Sequence, residues 1–332
     1  MERLSRRTAT RPAARPAARP AGLLAGVLVT AVALLATLTL AAPRASAAPE
    51  PLPVPYGFVP GALLNGLPGA NAAGTNDWSC KPSKAHPRPV VLVHGFAGNR
   101  ATNWPTFGPL LKNEGYCVFA LTYGVAADVV PVNLLGGVGD MRASAGELKV
   151  FVDKVLKATG AGKVDLVGHS EGSLMPNWYL KYLGGAKKVH HFIGLGSAFG
   201  GTNLPVLFER LLNGILAPEQ VPVCQACLQF SPKSQFVRQL HEGGLMQKGV
   251  SYTSIVTRID ELVIPYTNGI LPGARNYVLQ DVCPQDLSDH LQIVSSRNVA
   301  RIVLNTLDPK NARKLTCVPV LPVVGELVPG LI

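Results

Sequence analysis

Val164-Asp165-Leu166-Val167-Gly168-His169-Ser170-Glu171-Gly172 decides the fold of this 332-residue chain. Its first four residues form an apolar, strand-like run, and the rest reads G-x-S-x-G, the pattern of a nucleophile elbow. The pattern has a mechanical cause. A serine at the tip of a sharp strand-to-helix turn is held in a strained backbone conformation with its hydroxyl exposed. Side chains two residues to either side would collide with the turn, so Gly168 and Gly172 flank it. The helix that follows starts at Glu171, and its first amides point to where a negative oxygen would develop. A bare G-x-S-x-G is a common glycine turn. The strand ahead of it and the helix-compatible residues 174–180 behind it are what give this one a catalytic reading.

Outward from the elbow the chain alternates between strands and helices. Residues 89–93 and 117–121 are buried-strand runs. Between them, Trp104, Phe107, Leu110 and Leu111 set helical spacing over 104–114, and Gly115 stops it. Met141, Leu148, Phe151, Val152, Val155 and Leu156 make one apolar stripe over 140–159, closed by Gly160. Further strands are expected at 189–195, with one of His190 and His191 facing the core, and at 252–257 and 276–279. A helix at 295–307 follows them. This order implies an α/β fold: a mostly parallel, doubly wound sheet in a single domain. Residues 202–250 interrupt the alternation and read as an insertion over the active-site edge. Residues 48–75, rich in Pro, Gly, Ala and Asn, read as an irregular N-terminal arm, and 318–332 as a Pro-Val-Leu-rich tail.

The chain is 47% hydrophobic and 15% charged, enough apolar mass for a large core and too little charge for disorder. It opens with Arg3, Arg6, Arg7, Arg11, Arg15 and Arg19, runs apolar over 21–42 and then reads Ala45-Ser46-Ala47. That order is expected to be a secretory signal peptide over 1–47, cleaved near Ala47. The apolar run could also span a bilayer, so an uncleaved membrane anchor is the alternative. Residues 1–47 hold seven of the 31 Lys+Arg and one of the 20 Asp+Glu, so the remainder carries +5 rather than +11. No basic run with interleaved aromatics lies in that remainder, and a nucleic-acid partner is not expected. Six cysteines in an exported chain argue for disulfides, with 15 connectivities open. Cys224-Gln225-Ala226-Cys227 has no second C-x-x-C and no redox strand–helix context, which favours a short local disulfide over a zinc or redox pair.

A serine nucleophile needs a base, and the base an orienting acid. In this fold the chain order is nucleophile, acid, histidine. His190 and His191 lie inside a strand and His241 inside the insertion, whereas His290 follows the last strand and is the expected base. Asp260 stands just past a strand end, where catalytic groups gather in open α/β sheets. Asp281, Asp286, Asp289 and Asp308 come too close to the histidine loop or beyond it, and Glu261 reads as a surface carboxylate. The Gly-containing turn His94-Gly95-Phe96-Ala97-Gly98-Asn99 would aim the backbone N–H of Phe96 at an oxyanion, with that of Glu171 as its partner. His94 and His169 sit beside tight turns and are expected to bond nearby backbone. No metal or cofactor site is evident.

HGFAGN, GHSEGS, TRIDELVIPY and SDHL, with Asp77-Trp78-Ser79-Cys80 ahead of them, resemble the secreted actinobacterial lipases of the α/β-hydrolase superfamily, the class 2 triacylglycerol lipase group. The resemblance spans residues 55–317 and rests on four motifs in order. It implies an α/β-hydrolase domain over 76–317 and a carboxylester hydrolase acting on acylglycerols through Ser170, Asp260, His290 and an acyl-enzyme. It also implies the pairs Cys80–Cys117, Cys224–Cys227 and Cys283–Cys317. Two positions depart from the family pattern. Phe96 stands where a threonine is usual, which bears on the acyl pocket, and Ser173 replaces a second glycine after the elbow. The implied partner is a lipid or ester substrate, met at a lipid–water interface; no protein partner is evident. An exported acyltransferase or a polyester (cutinase-like) hydrolase would use the same triad. An envelope binding protein on a dead hydrolase scaffold is the non-enzymatic alternative, and the intact Ser–Asp–His order argues against it.

Overall fold

The computed structural model describes residues 50–65, 69–125, 135–203 and 224–326. The expected signal peptide or anchor, and residues 204–223 of the expected insertion, lie outside the described residues. Six strands form one sheet: β1 (Val90–Val93), β2 (Val118–Leu121), β3 (Val164–His169), β4 (Val189–Leu195), β5 (Ser251–Val256) and β6 (Arg275–Val278). Their order is β2-β1-β3-β4-β5-β6, and every neighbouring pair is parallel. Parallel neighbours need crossovers, and the helices that make them cover both faces. Among the described residues, no helix is long and apolar enough to cross a membrane.

Alternation along the strands splits the core into two layers. On one side Val91, Val93, Phe119, Leu121 and Leu166 pack with α3 (Met141–Thr159) and α5 (Pro176–Tyr182). On the other, Val90, Leu92, Val118, Ala120 and Val167 pack with α2 (Phe107–Asn113) and α9 (Arg297–Leu307). α3 has a defined start and stop. The Asp140 side chain accepts from the N–H groups of Arg142 and Ala143, a cap worth about 1 kcal/mol, and Gly160 ends it in the left-handed region at φ 73°.

The structure departs from the sequence expectations in several places. The arm expected to be irregular contains a helix, α1 (Phe58–Asn65). The helix after the elbow is two pieces, α4 (Glu171–Leu174) and α5, because Pro176 has no N–H to continue the first. Neither His190 nor His191 enters the core. Both are half-buried, with Nδ1 atoms 3.1 Å apart, drawn to the Asp165 carboxylate. The described part of the tail is tied down: Leu287 N–H donates to Val320 O, Val320 N–H to Gln285 O, and Arg297 pairs with Glu326. Disulfides join Cys80 to Cys117, Cys224 to Cys227 and Cys283 to Cys317.

Candidate active site

β3 delivers Ser170 to the C-terminal edge of the sheet with φ 53° and ψ −117°. A side-chain-bearing residue avoids that conformation at a cost of about 1–3 kcal/mol, so the surroundings must impose it. They do so by backbone proximity. A Cβ on Gly168 would lie 1.8 Å from Gly172 O, and one on Gly172 would lie 2.0 Å from Val93 O. Only glycine lets α4 sit this close to β1 and β3.

Asp260 lies in the turn beyond β5, and its side chain is 1% exposed. Its Oδ1 accepts from the N–H groups of Leu262 and Val263, and Oδ2 lies 2.8 Å from His290 Nδ1. Burial alone would raise the carboxyl pKa; the neighbouring His290 and the two amide bonds hold it below the ordinary value. With Nδ1–H donated to Asp260, the imidazole turns a lone pair outward at Nε2. That atom is buried and has no hydrogen-bond partner. His290 and Ser170 line the same cavity of about 260 Å³, whose apolar walls include Phe96, Phe230, Leu262, Val263 and Leu291.

The histidine loop is held through both backbone polar groups of His290. His290 N–H donates to Glu261 Oε2 at 3.0 Å, and His169 Nε2–H donates to His290 O at 2.9 Å. Glu261 is exposed, as its sequence position suggests, and its carboxylate in addition restrains the histidine loop. His169 meets a backbone group remote in sequence, and its Nδ1 lies 3.1 Å from Asn103 Oδ1. Burial, and then the His290 charge, lower its pKa to about 3, so it stays neutral. Just beyond β1, the buried His94 donates Nδ1–H to Gly95 O, and its Nε2 accepts from Tyr123 N–H. Burial lowers its pKa to about 4. Asn103 Oδ1 takes the Gly95 N–H, fixing the turn that carries Phe96. Nothing in the sequence singles out Asn103, because its role depends on a loop folding back on itself.

The described part of the expected insertion reaches this site. Cys227 and Phe230 line the cavity, and Phe230 packs edge-on to Phe96. α6 (Gln225–Gln229) is stitched to the start of α3: Gln229 Oε1 accepts from Met141 N–H, and Ala226 N–H donates to Val138 O.

The carboxylates near the histidine loop are engaged by protein donors. Asp286 takes Ser288, Ser296 and Asn298; Asp289 takes Gln292 N–H; Asp281 pairs with Arg258. Among the described residues, one group has atoms close enough to share a metal: Asp165, His190 and His191. It sits at the opposite, N-terminal edge of the sheet, and Arg88 and the His191 N–H already occupy the Asp165 carboxylate.

Over 92 residues the chain is 37% identical to a triacylglycerol lipase of Pseudarthrobacter phenanthrenivorans, covering 26% of each protein. It is equally similar to a triacylglycerol lipase of Burkholderia plantarii, covering 23% of that protein. The matched stretch thus spans about a quarter of either relative. Crystal structures of Aspergillus fumigatus lipase B (TM-score 0.55, 20% identity, 74% of this chain and 56% of that one) and of mature Bacillus licheniformis lipase BlEst2 (TM-score 0.52, 17% identity, 68% and 94%) share the α/β-hydrolase fold. A profile of the Lipase (class 2) family matches residues 87–303, from just ahead of β1 into α9. The chain belongs to the class 2 lipase family.

Proposed function

We propose that this chain hydrolyses carboxylic esters of lipids, acylglycerols foremost, by two-step acyl transfer through Ser170. One observation carries the reading: Asp260 Oδ2 holds His290 Nδ1 at 2.8 Å, leaving a buried, unpartnered Nε2 on the cavity that Ser170 lines. In the first step Nε2 takes the Ser170 hydroxyl proton as Oγ attacks the ester carbonyl. Asp260 keeps the ring in the right tautomer and offsets the imidazolium charge. The tetrahedral oxygen accepts from the backbone N–H groups of Phe96 and Glu171, the latter at the start of α4. His290 then gives its proton to the departing alcohol, leaving an acyl-Ser170. Water loses a proton to Nε2 and attacks the acyl carbonyl; the acyl–Oγ bond then breaks, Nε2 returns the proton to Ser170 Oγ, and the acid is released.

The apolar cavity wall supports a fatty acyl chain rather than a charged acyl group. The paired cysteines and the basic-then-apolar leader support export and action outside the cell. Ser170→Ala, assayed on emulsified triglyceride and a panel of p-nitrophenyl esters, should lose on the order of 10⁶ in kcat. A variant keeping a tenth of wild-type turnover would overturn the nucleophile assignment. Assays with a competing alcohol or a polymer film separate hydrolysis of lipids from acyl transfer or polyester cleavage. Failure of Ser170 to take a fluorophosphonate label would favour a binding protein on a dead scaffold.

A further inference from the structure

Glu171 contributes its backbone N–H to the oxyanion hole in the reading above, but its side chain lies elsewhere. It is 0% exposed, and neither Oε1 nor Oε2 has a hydrogen-bond partner. The carboxyl abuts Gly137: a Cβ there would lie 2.7 Å from Glu171 Oε2 and 3.2 Å from Phe96 Cα. The bare Cα of Gly137, at φ 71°, is therefore wedged between the carboxyl and the turn that carries the Phe96 amide. Backbone bonds pin this wedge. Gly137 N–H donates to Tyr123 O and Gly136 N–H to Gly98 O, both at 2.8 Å.

What faces the carboxyl decides its charge. The Tyr123 hydroxyl is closest in electrostatic effect, and its own proton is committed to His94 O at 2.8 Å. It therefore turns oxygen lone pairs toward Glu171. His94, stacked on the Tyr123 ring, is kept neutral by burial. Glu147, on α3, acts on Tyr123 rather than on this carboxyl, and accepts from Gly124 N–H. No lysine or arginine acts on the group among the described residues. Against burial, the Tyr123 hydroxyl is the one group that would steady the charge, and its proton already goes to His94 O. The dehydrated carboxylate is disfavoured, whereas the neutral acid can offer its O–H to the Tyr123 oxygen.

We propose that Glu171 is a positioning residue that supports the Phe96 turn through Gly137 with its carboxyl uncharged, so the working site carries one bound proton here. Burial pushes this carboxyl well above the ordinary glutamate range, in keeping with that geometry. The positioning role rests on Ser170 and the Phe96 amide acting as described above; the bound proton does not.

Glu171→Gln keeps the shape and is neutral at every pH. Wild type should lose stability relative to this variant as pH rises from about 5 to 8, by up to about tenfold in the unfolding constant per pH unit. The alkaline fall in kcat should move to higher pH in the variant, with KM little changed. Parallel stability curves, or superimposed alkaline limbs, would overturn the proposal. Carbon-13 NMR of the carboxyl carbons in glutamate-labelled wild type decides the protonation even if the variant fails to fold. One deeply buried carboxyl should keep the protonated shift at neutral pH, and a full set of ionised shifts would refute it. Should Ser170→Ala remain active, the stability and NMR results still stand, so the two failures are distinguishable.

Discussion

Two adjacent acids, Asp260 and Glu261, both reach His290 but by different atoms. Asp260 meets the ring and Glu261 meets the backbone N–H. Their substitution effects should therefore differ in size. Asp260→Asn disturbs the histidine tautomer and should cost about 10³–10⁴ in kcat. Glu261→Gln keeps an oxygen that can accept the His290 N–H and should cost far less. Steady-state kinetics of the two variants check this, and a reversed order would make Glu261 the orienting acid. Sequence order points to Ser170, Asp260 and His290 as candidates, because few carboxylates and histidines follow the elbow. The structure places Asp260 2.8 Å from His290 beside the cavity that Ser170 lines. Sequence order was not enough to assign Glu261 or the Glu171 side chain. In sequence, Glu171 is an ordinary first-turn acid favoured by the helix dipole. Its burial comes from Gly137 and Tyr123, which arrive from elsewhere in the chain.

At the level of elements, the strand cores were legible because short apolar runs between turn residues have few other uses in an α/β chain. Their ends shifted by about a residue. α2 begins at Phe107 rather than near Trp104, and Leu279 opens the short helix α8 (Leu279–Val282) instead of ending β6. α1 was hidden because its sequence, FVPGALLN, holds a proline and a glycine that lower intrinsic helicity. Packing holds it instead: a Cβ on Gly61 would meet the Pro105 ring at 2.8 Å. The histidine loop has a covalent restraint as well. Cys283–Cys317 closes a separation of 34 residues and ties that loop to the tail. A loop of this size contributes roughly 3–4 kcal/mol in the chain-entropy model. Cys224–Cys227, with a separation of three, constrains the unfolded chain little. Calorimetry should show a much larger drop in Tm for Cys283→Ser/Cys317→Ser than for Cys224→Ser/Cys227→Ser. Equal drops would mean that the short bridge holds α6 against α3 more firmly than loop length suggests.

Across the whole molecule, three buried groups near the site set opposing pH dependences. His94 and His169 titrate in the fold at about 4 and about 3, against an ordinary 6.5. Glu171 titrates well above its ordinary 4.5. Between about pH 4.5 and 6.5 the unfolded chain binds protons on both histidines that the fold refuses, while the fold keeps one on Glu171 that the unfolded chain releases. The unfolded state then binds more protons in total, and stability rises with pH. Above 6.5 the histidine difference fades and that of Glu171 dominates; the fold binds more, and stability falls as pH climbs toward the folded pKa. Calorimetric Tm measured from pH 4.5 to 9 should therefore peak at about pH 6–7. A curve still rising at pH 9 would mean that Glu171 is ionised in the neutral fold.

The order of strands in the sheet also bears on how the molecule is made. β3, with Ser170 at its tip, sits in the interior between β1 and β4, and all three come early in the chain. Asp260 and His290 follow β5 and β6, which are added outward from β4. If the proposed triad holds, a nascent chain builds its elbow well before it owns a base, and emerges from the ribosome chemically disarmed. On that same proposal, any fragment ending short of β6 would carry G-x-S-x-G intact and lack the imidazole assigned to activate its serine. A truncated gene of this kind would pass a motif search as a hydrolase and is expected to encode an inert protein.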